Sequence, residues 1–151
     1  MIQVDLIRKL REKTGAPIMR VKKVLEEVGG DEKKAIKILK EEGFAKIAKR
    51  SGRKTNQGII KVYLHHSGKI AAMVELLSET DFVAKNKLFQ DLASDLAMQV
   101  ASMNPKNEDE LLNQTFIKDS TKSIKDLVKD VIAKTGENIR IGRFYRLEIG
   151  I

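Results

Sequence analysis

The sequence predicts an α+β protein, an N-terminal three-helix module followed by a core whose helices cover one face of a three-stranded antiparallel sheet. Three observations predict it. Apolar residues recur at helical spacing through the first third of the chain, β-branched runs begin after Gly58, and a helical period returns between the second and the last of the strand-like segments. With 151 residues, 42% of them hydrophobic and 33% charged, the chain has the apolar content to bury a core.

In the first third, Val4, Leu6, Ile7 and Leu10 form one helical stripe that Thr14-Gly15 interrupts. Pro17 suits the first turn of a second helix, whose stripe runs through Val21, Val24, Leu25 and Val28. Gly29-Gly30 stops that helix and Asp31 can cap a third, with Ala35, Ile36, Ile38 and Leu39 on its face before Gly43. The following FAKIAKRSGRKTNQG gains Lys, Arg, Ser and Gly, which predicts a last helical turn or two and then a linker. The predicted division is therefore a helical module with its linker over residues 1–55 and an α+β core over 56–151.

Within the core, GIIKVYLHH and KIAAMVELLSE predict two strands joined by a tight turn at Ser67-Gly68, paired antiparallel. From Val83 the period is helical, through Leu88, Leu92, Leu96, Val100 and Met103, and Asn104-Pro105 ends it. Residues 106–122 are polar and poorly periodic. SIKDLVKDVIAKTG predicts another helix, with Ile124, Leu127, Val128, Val131 and Ile132 on its apolar side, and IGRFYRLEIG alternates like a strand.

Charge is unevenly placed. Residues 1–55 hold 16 Lys and Arg against 8 Asp and Glu, while residues 56–151 hold 13 of each, so the whole net charge of +8 is N-terminal. Such a segment suits an acidic protein partner, a nucleic acid, or simply solvated helix faces. The absence of cysteine excludes disulfides and thiolate metal sites and agrees with a reducing compartment. MIQVDLIRKLREK has no secretory h-region and no segment approaches a membrane span, so a cytoplasmic location without membrane contact is expected.

Catalytic signatures are scarce. Placed on a strand, His65 and His66 point to opposite faces and cannot share a metal, and Gly68-Lys69 lacks the upstream glycine of a phosphate loop, where Tyr63 stands. No metal site, cofactor or enzymatic bond-making chemistry is expected. One stretch stands out: SETDFVAKN, residues 78–86, sets the large ring of Phe82 among polar neighbours. Two readings remain open on the residues alone, a staple that folds back onto the protein's own core and an anchor that enters a partner's pocket.

TDFVAKN at 80–86, VEL at 74–76, KTGENIRIGRF at 134–144, LIRKLREKTGA at 6–16 and VKKVLEEVGGDEKKAIKILKEEG at 21–43 resemble, in order, the signatures of the elongation factor Ts family. The resemblance covers nearly the whole chain. It implies a ubiquitin-associated-like helical module, an α+β core with a three-stranded antiparallel sheet, and release of GDP from elongation factor Tu during translation without nucleotide binding by the factor itself. It further implies that Asp81 and Phe82, flanked by Thr80 and Val83, enter the partner near its Mg-binding region, and that Ile18 and Met19 offer an apolar contact. Where the family usually reads TGAGMMDCKKAL this chain reads TGAPIMRVKKVL, so Pro17, Ile18 and Arg20 depart from the pattern.

Residues 104–122 leave little room for the second core half or helical hairpin that many relatives carry, and short relatives pair two chains. A homodimer is expected, because a small three-stranded sheet leaves a face or edge to cover, with Ile141, Phe144 and Leu147 as candidates. The alternative from another class is a basic nucleic-acid-binding or ribosome-associated protein. Against it, aromatics are only 5% of residues and no RNA-binding signature is present.

Overall fold

Three helices, α1 (Val4–Thr14), α2 (Ile18–Glu27) and α3 (Glu32–Arg50), open the computed structural model, which describes residues 3–151. They close on a small core of Leu10, Val21, Val24, Leu25, Ala35 and Leu39. The terminators are those the sequence announces: Gly15 caps α1 in the left-handed conformation, and the Asp31 carboxylate accepts from the Lys34 N–H at 3.1 Å. Pro17 sits one residue earlier than expected, at the N-cap of α2. Val4, in the first turn of α1, stands outside the cluster and is exposed.

Gly43 does not stop α3. The helix continues to Arg50 because its two halves serve different cores: Ala35 and Leu39 belong to the module, whereas Ile47 packs on the larger cluster beyond. A single apolar stripe cannot describe such a helix. At Gly43 the backbone lies against the following unit, and a Cβ there would meet that of Ala133 at 3.7 Å.

The rest of the chain comprises β1 (Gln57–Leu64), β2 (Ile70–Ser78), a single turn α4 (Asp81–Ala84), α5 (Lys87–Met103), a short α6 (Glu108–Asn113), the ribbon β3 (Thr115–Phe116) and β4 (Asp119–Ser123), α7 (Ile124–Thr135) and β5 (Ile139–Glu148). The main sheet is antiparallel in the order β1-β2-β5, and α5 and α7 cover one face. Ala72, Val74, Leu76, Ile139 and Ile141 meet Phe89, Leu92, Ala93, Leu96, Ala97, Val100, Val128 and Val131 in that layer. The α+β class with a helical N-terminus is thus observed.

Local departures have physical causes. The helical period after the second strand is broken: Asn86 caps a new helix by accepting from the Leu88 N–H at 2.8 Å. Steps of four residues drift by about 40° each on a helix, so Leu88 turns outward while the buried face carries Phe89, and Met103, the last residue of α5, is exposed at the helix end. The stretch after Pro105 is structured, with α6 and the two-stranded ribbon held by buried Gln99. Its amide donates to the Thr115 carbonyl at 3.0 Å and accepts from the Ile117 N–H at 3.1 Å.

β5 carries an extra residue opposite Glu75, where the pairing passes from Val74↔Phe144 to Leu76↔Ile141. This bulge inverts the alternation. Ile139 and Ile141 face the helices, and so does Phe144 beyond the bulge, whereas Tyr145 and Leu147 face outward. Two of the three expected dimer residues are therefore misplaced: Ile141 is 3% exposed and Phe144 packs against the core, while Leu147 is 75% exposed.

Candidate functional site

Thr80, Asp81, Phe82 and Val83 form one corner, where the central strand β2 ends and the chain turns into α4. Thr80 has extended backbone and serves as N-cap, its hydroxyl accepting from the Val83 N–H at 3.4 Å. A four-residue helix has only one side to dock. Val83 and Ala84 take it, packing against the core, and the preceding pair Asp81 and Phe82 points the other way. Phe82 is 89% exposed, which removes the staple reading. An isolated aromatic ring so fully presented has no packing role inside its own chain.

The surroundings of the ring are polar. Asp81 pairs with Lys85 one turn later at 2.7 Å, and this hydrogen bond raises the Lys85 ammonium above its ordinary pKa. On the other side, Glu137 accepts from the Thr80 N–H at 3.0 Å and from its hydroxyl at 2.6 Å. No local pattern in the sequence gives Glu137 a part in this corner. It lies 57 positions away, and the signal that could have found it is its place inside the KTGENIRIGRF block.

Ile18 and Met19 lie in the first turn of α2, 49% and 73% exposed. They sit on the helical module and are not part of the Phe82 corner, which packs on β1, β2 and α5. Arg20, one of the departures from the family pattern, turns back into its own module. Its guanidinium is bound to the carboxylate of Glu42 and reaches Glu27 at 3.3 Å, an arrangement that raises the arginine pKa and holds Glu42 low. Two apolar surfaces are therefore presented, one on each unit.

His65 and His66 are not on a strand. They fall in the β1–β2 turn, where their rings lie 4.1 Å apart between centroids instead of on opposite faces, and the His65 Nδ1 lies 2.7 Å from the Ser67 hydroxyl. Gly68 and Lys69 complete that turn, with the Gly68 N–H donating to the His65 carbonyl at 2.9 Å. Among the described residues no group of three metal-ligating side chains occurs, and no helix is long and apolar enough to cross a membrane. A groove of about 430 Å³ opens between α3 and α7, lined by residues such as Leu39, Phe44 and Leu127. None of the corner residues lines it.

Comparison with known proteins places these features in a family. The family model described as Elongation factor TS matches residues 79–150, the segment from the Phe82 corner to the end of β5. Elongation factor Ts of Thermotoga petrophila is 42% identical over 192 aligned positions, covering 99% of this chain and 96% of the relative. Those of Thermotoga neapolitana and Nitratidesulfovibrio vulgaris are 40% and 38% identical, again over 99% of this chain and over 98% and 97% of theirs. The aligned lengths exceed the 151 residues of this chain, so these relatives carry residues that have no counterpart here.

Proposed function

The chain belongs to the elongation factor Ts family, a family of translation elongation factors, and from that premise we propose that it is a guanine-nucleotide exchange factor that releases GDP from elongation factor Tu. The observation that carries the reading is the exposure of Phe82 on a corner whose other residues are tied down.

A GTPase holds GDP through phosphate-loop donors and a Mg²⁺ ion that neutralises phosphate charge. A ring inserted between elements near that ion shifts the segment that positions Mg²⁺ and its waters, and phosphate binding weakens. Binding of factor and nucleotide are then reciprocally coupled: GDP weakens attachment of the factor by the same ratio, and incoming GTP expels it. Phe82 supplies the wedge, Asp81 the adjacent carboxylate, and Thr80 and Val83 fix the corner. Ile18 and Met19 supply a second contact, and the N-terminal positive charge favours approach to an acidic surface. The factor needs neither a cofactor nor a phosphate cradle of its own, and Gly68-Lys69 only turns a hairpin.

We further propose that two copies pair through the open face of the main sheet. Ile60, Val62, Leu64, Met73, Tyr145 and Leu147 are exposed there, on the side opposite α5 and α7. An apolar sheet face of this size, interrupted by the Glu75–Arg143 pair, is uncommon on a monomer, and a second identical face is its natural complement.

The test of exchange is release of labelled GDP from elongation factor Tu under catalytic amounts of this protein. Acceleration over spontaneous release is expected, and its absence overturns the proposal.

A further inference from the structure

We propose that Glu137 is the positioning residue for Phe82, gripping Thr80 so that the ring is held in its projecting orientation before the partner arrives; the proposal rests on the exchange reading above. The ladder between β2 and β5 ends at Ser78↔Ile139. Beyond it the two chains run on as Glu79-Thr80 and Glu137-Asn138, and each lends a carboxylate to the other's backbone. The Thr80 N–H donates to Glu137 Oε1 at 3.0 Å, and the Asn138 N–H donates to Glu79 Oε1 at 2.6 Å. Side chains thus continue the pairing where backbone carbonyls no longer can.

Glu137 takes both donors of Thr80, since its second oxygen accepts from the hydroxyl at 2.6 Å. The Thr80 carbonyl is occupied as well, accepting from the Ser78 hydroxyl at 2.9 Å and from the Ala84 N–H at 3.3 Å. Every polar group of the N-cap residue is therefore committed, and the direction of α4 follows from it. Phe82, two residues further on, has little packing of its own to hold it. Hydrogen bonds to a carboxylate are stronger than neutral ones, and a pre-ordered anchor loses less conformational freedom on binding.

Glu137 is itself held in place. Gly136 closes α7 by donating to the Ile132 carbonyl at 2.9 Å, and the side-chain amide of buried Asn138 donates to the Arg53 carbonyl at 2.9 Å and the Ser51 carbonyl at 3.4 Å. The turn that aims Phe82 therefore also ties the segment after α3, which leads back to the module carrying Ile18 and Met19.

A glutamine at this position keeps one oxygen to accept from Thr80 but puts an NH2, a donor, in place of the other, so acceptance of the N–H and the hydroxyl by two separate oxygens is lost. The experiment compares the full chain with Glu137→Ala, Glu137→Gln, Phe82→Ala and the double variant Glu137→Ala/Phe82→Ala. Exchange on GDP-loaded elongation factor Tu is measured as kcat and KM, alongside thermal unfolding. Glu137→Ala, which removes both hydrogen bonds to Thr80, is expected to lower kcat about tenfold or more, with a smaller rise in KM because Ile18 and Met19 still bind. Glu137→Gln should fall between, and Glu137→Ala should have no further effect once Phe82 is gone. Full exchange by folded Glu137→Ala overturns the proposal, as does an equal loss in both Phe82 backgrounds, which would place the effect in the fold instead of the ring. If Glu137→Ala does not fold, Glu137→Gln carries the same comparison. A wild-type protein without exchange activity overturns the exchange reading and this proposal with it.

Discussion

Glu75 and Arg143 lock the bulge in β5: the Glu75 carboxylate accepts from the Arg143 backbone N–H at 2.8 Å and from its Nε and Nη2 at 2.9 Å each. The extra residue of the bulge thereby keeps its N–H satisfied, and Tyr145 and Leu147 are turned to the open face. These hydrogen bonds from Arg143 hold the Glu75 carboxyl down at about 2, from an ordinary 4.5. A carboxylate depressed in the folded state contributes stability that is complete above its unfolded pKa and is lost as pH falls through the folded one. Stability is therefore expected to decline between about pH 4.5 and 2, and Glu75→Gln should flatten that decline in acid unfolding curves. An unchanged slope would show that the pair is not formed in solution.

Gly15 meets the end of α7 so closely that a Cβ there would lie 2.9 Å from the Lys134 Cα, and its φ of 69° is left-handed. Two KTG sequences, 13–15 and 134–136, abut at this point, each ending its helix with a glycine and a threonine hydroxyl bonded four residues back. Gly15→Ala carries both backbone strain and a clash with backbone. A loss of about 1–3 kcal/mol in urea unfolding is expected. Unchanged stability would mean that the module does not rest on α7 as described.

Phe82→Ala separates contact from fold. The side chain is exposed, so unfolding free energy should move by no more than about 0.5 kcal/mol. Exchange on elongation factor Tu should weaken by about 2 kcal/mol or more, the scale of a binding hot spot. Asp81→Ala, with its carboxylate already paired to Lys85, should cost less. A folded Phe82→Ala protein with full exchange activity would remove the wedge from the mechanism.

Pairing through the open sheet face makes Val62→Lys informative. Light scattering of the wild-type chain at micromolar concentration should give twice the mass of one chain, and Val62→Lys should give a monomer, because the added ammonium enters an apolar interface whose carboxylate, Glu75, is already paired with Arg143. A wild-type monomer refutes the pairing.

Much of the architecture was legible in the sequence because a hydrophobic period reports which side of an element is covered. The stripes of α1, α2 and α7 follow directly from it, and glycine, proline and aspartate mark most of the helix ends. Segments too short for a period, α6 and the ribbon, were not legible, nor was a helix such as α3 whose halves face different cores. Alternation also failed beyond the bulge, since one inserted residue exchanges the two faces of β5 and sends Ile141 and Leu147 to opposite sides.

At the candidate site the sequence alone determined that an aromatic stands among polar residues at the end of a strand, and its family resemblance singled out Phe82. Only the tertiary structure decided that the ring faces solvent. That outcome depends on which side of a single helical turn finds a surface to pack on, and Val83 and Ala84 win it because β1, β2 and α5 meet beneath them. The grip of Glu137 on Thr80 is likewise tertiary: two groups 57 positions apart become neighbours only when β2 and β5 pair, and no local pattern encodes a distance that the sheet creates.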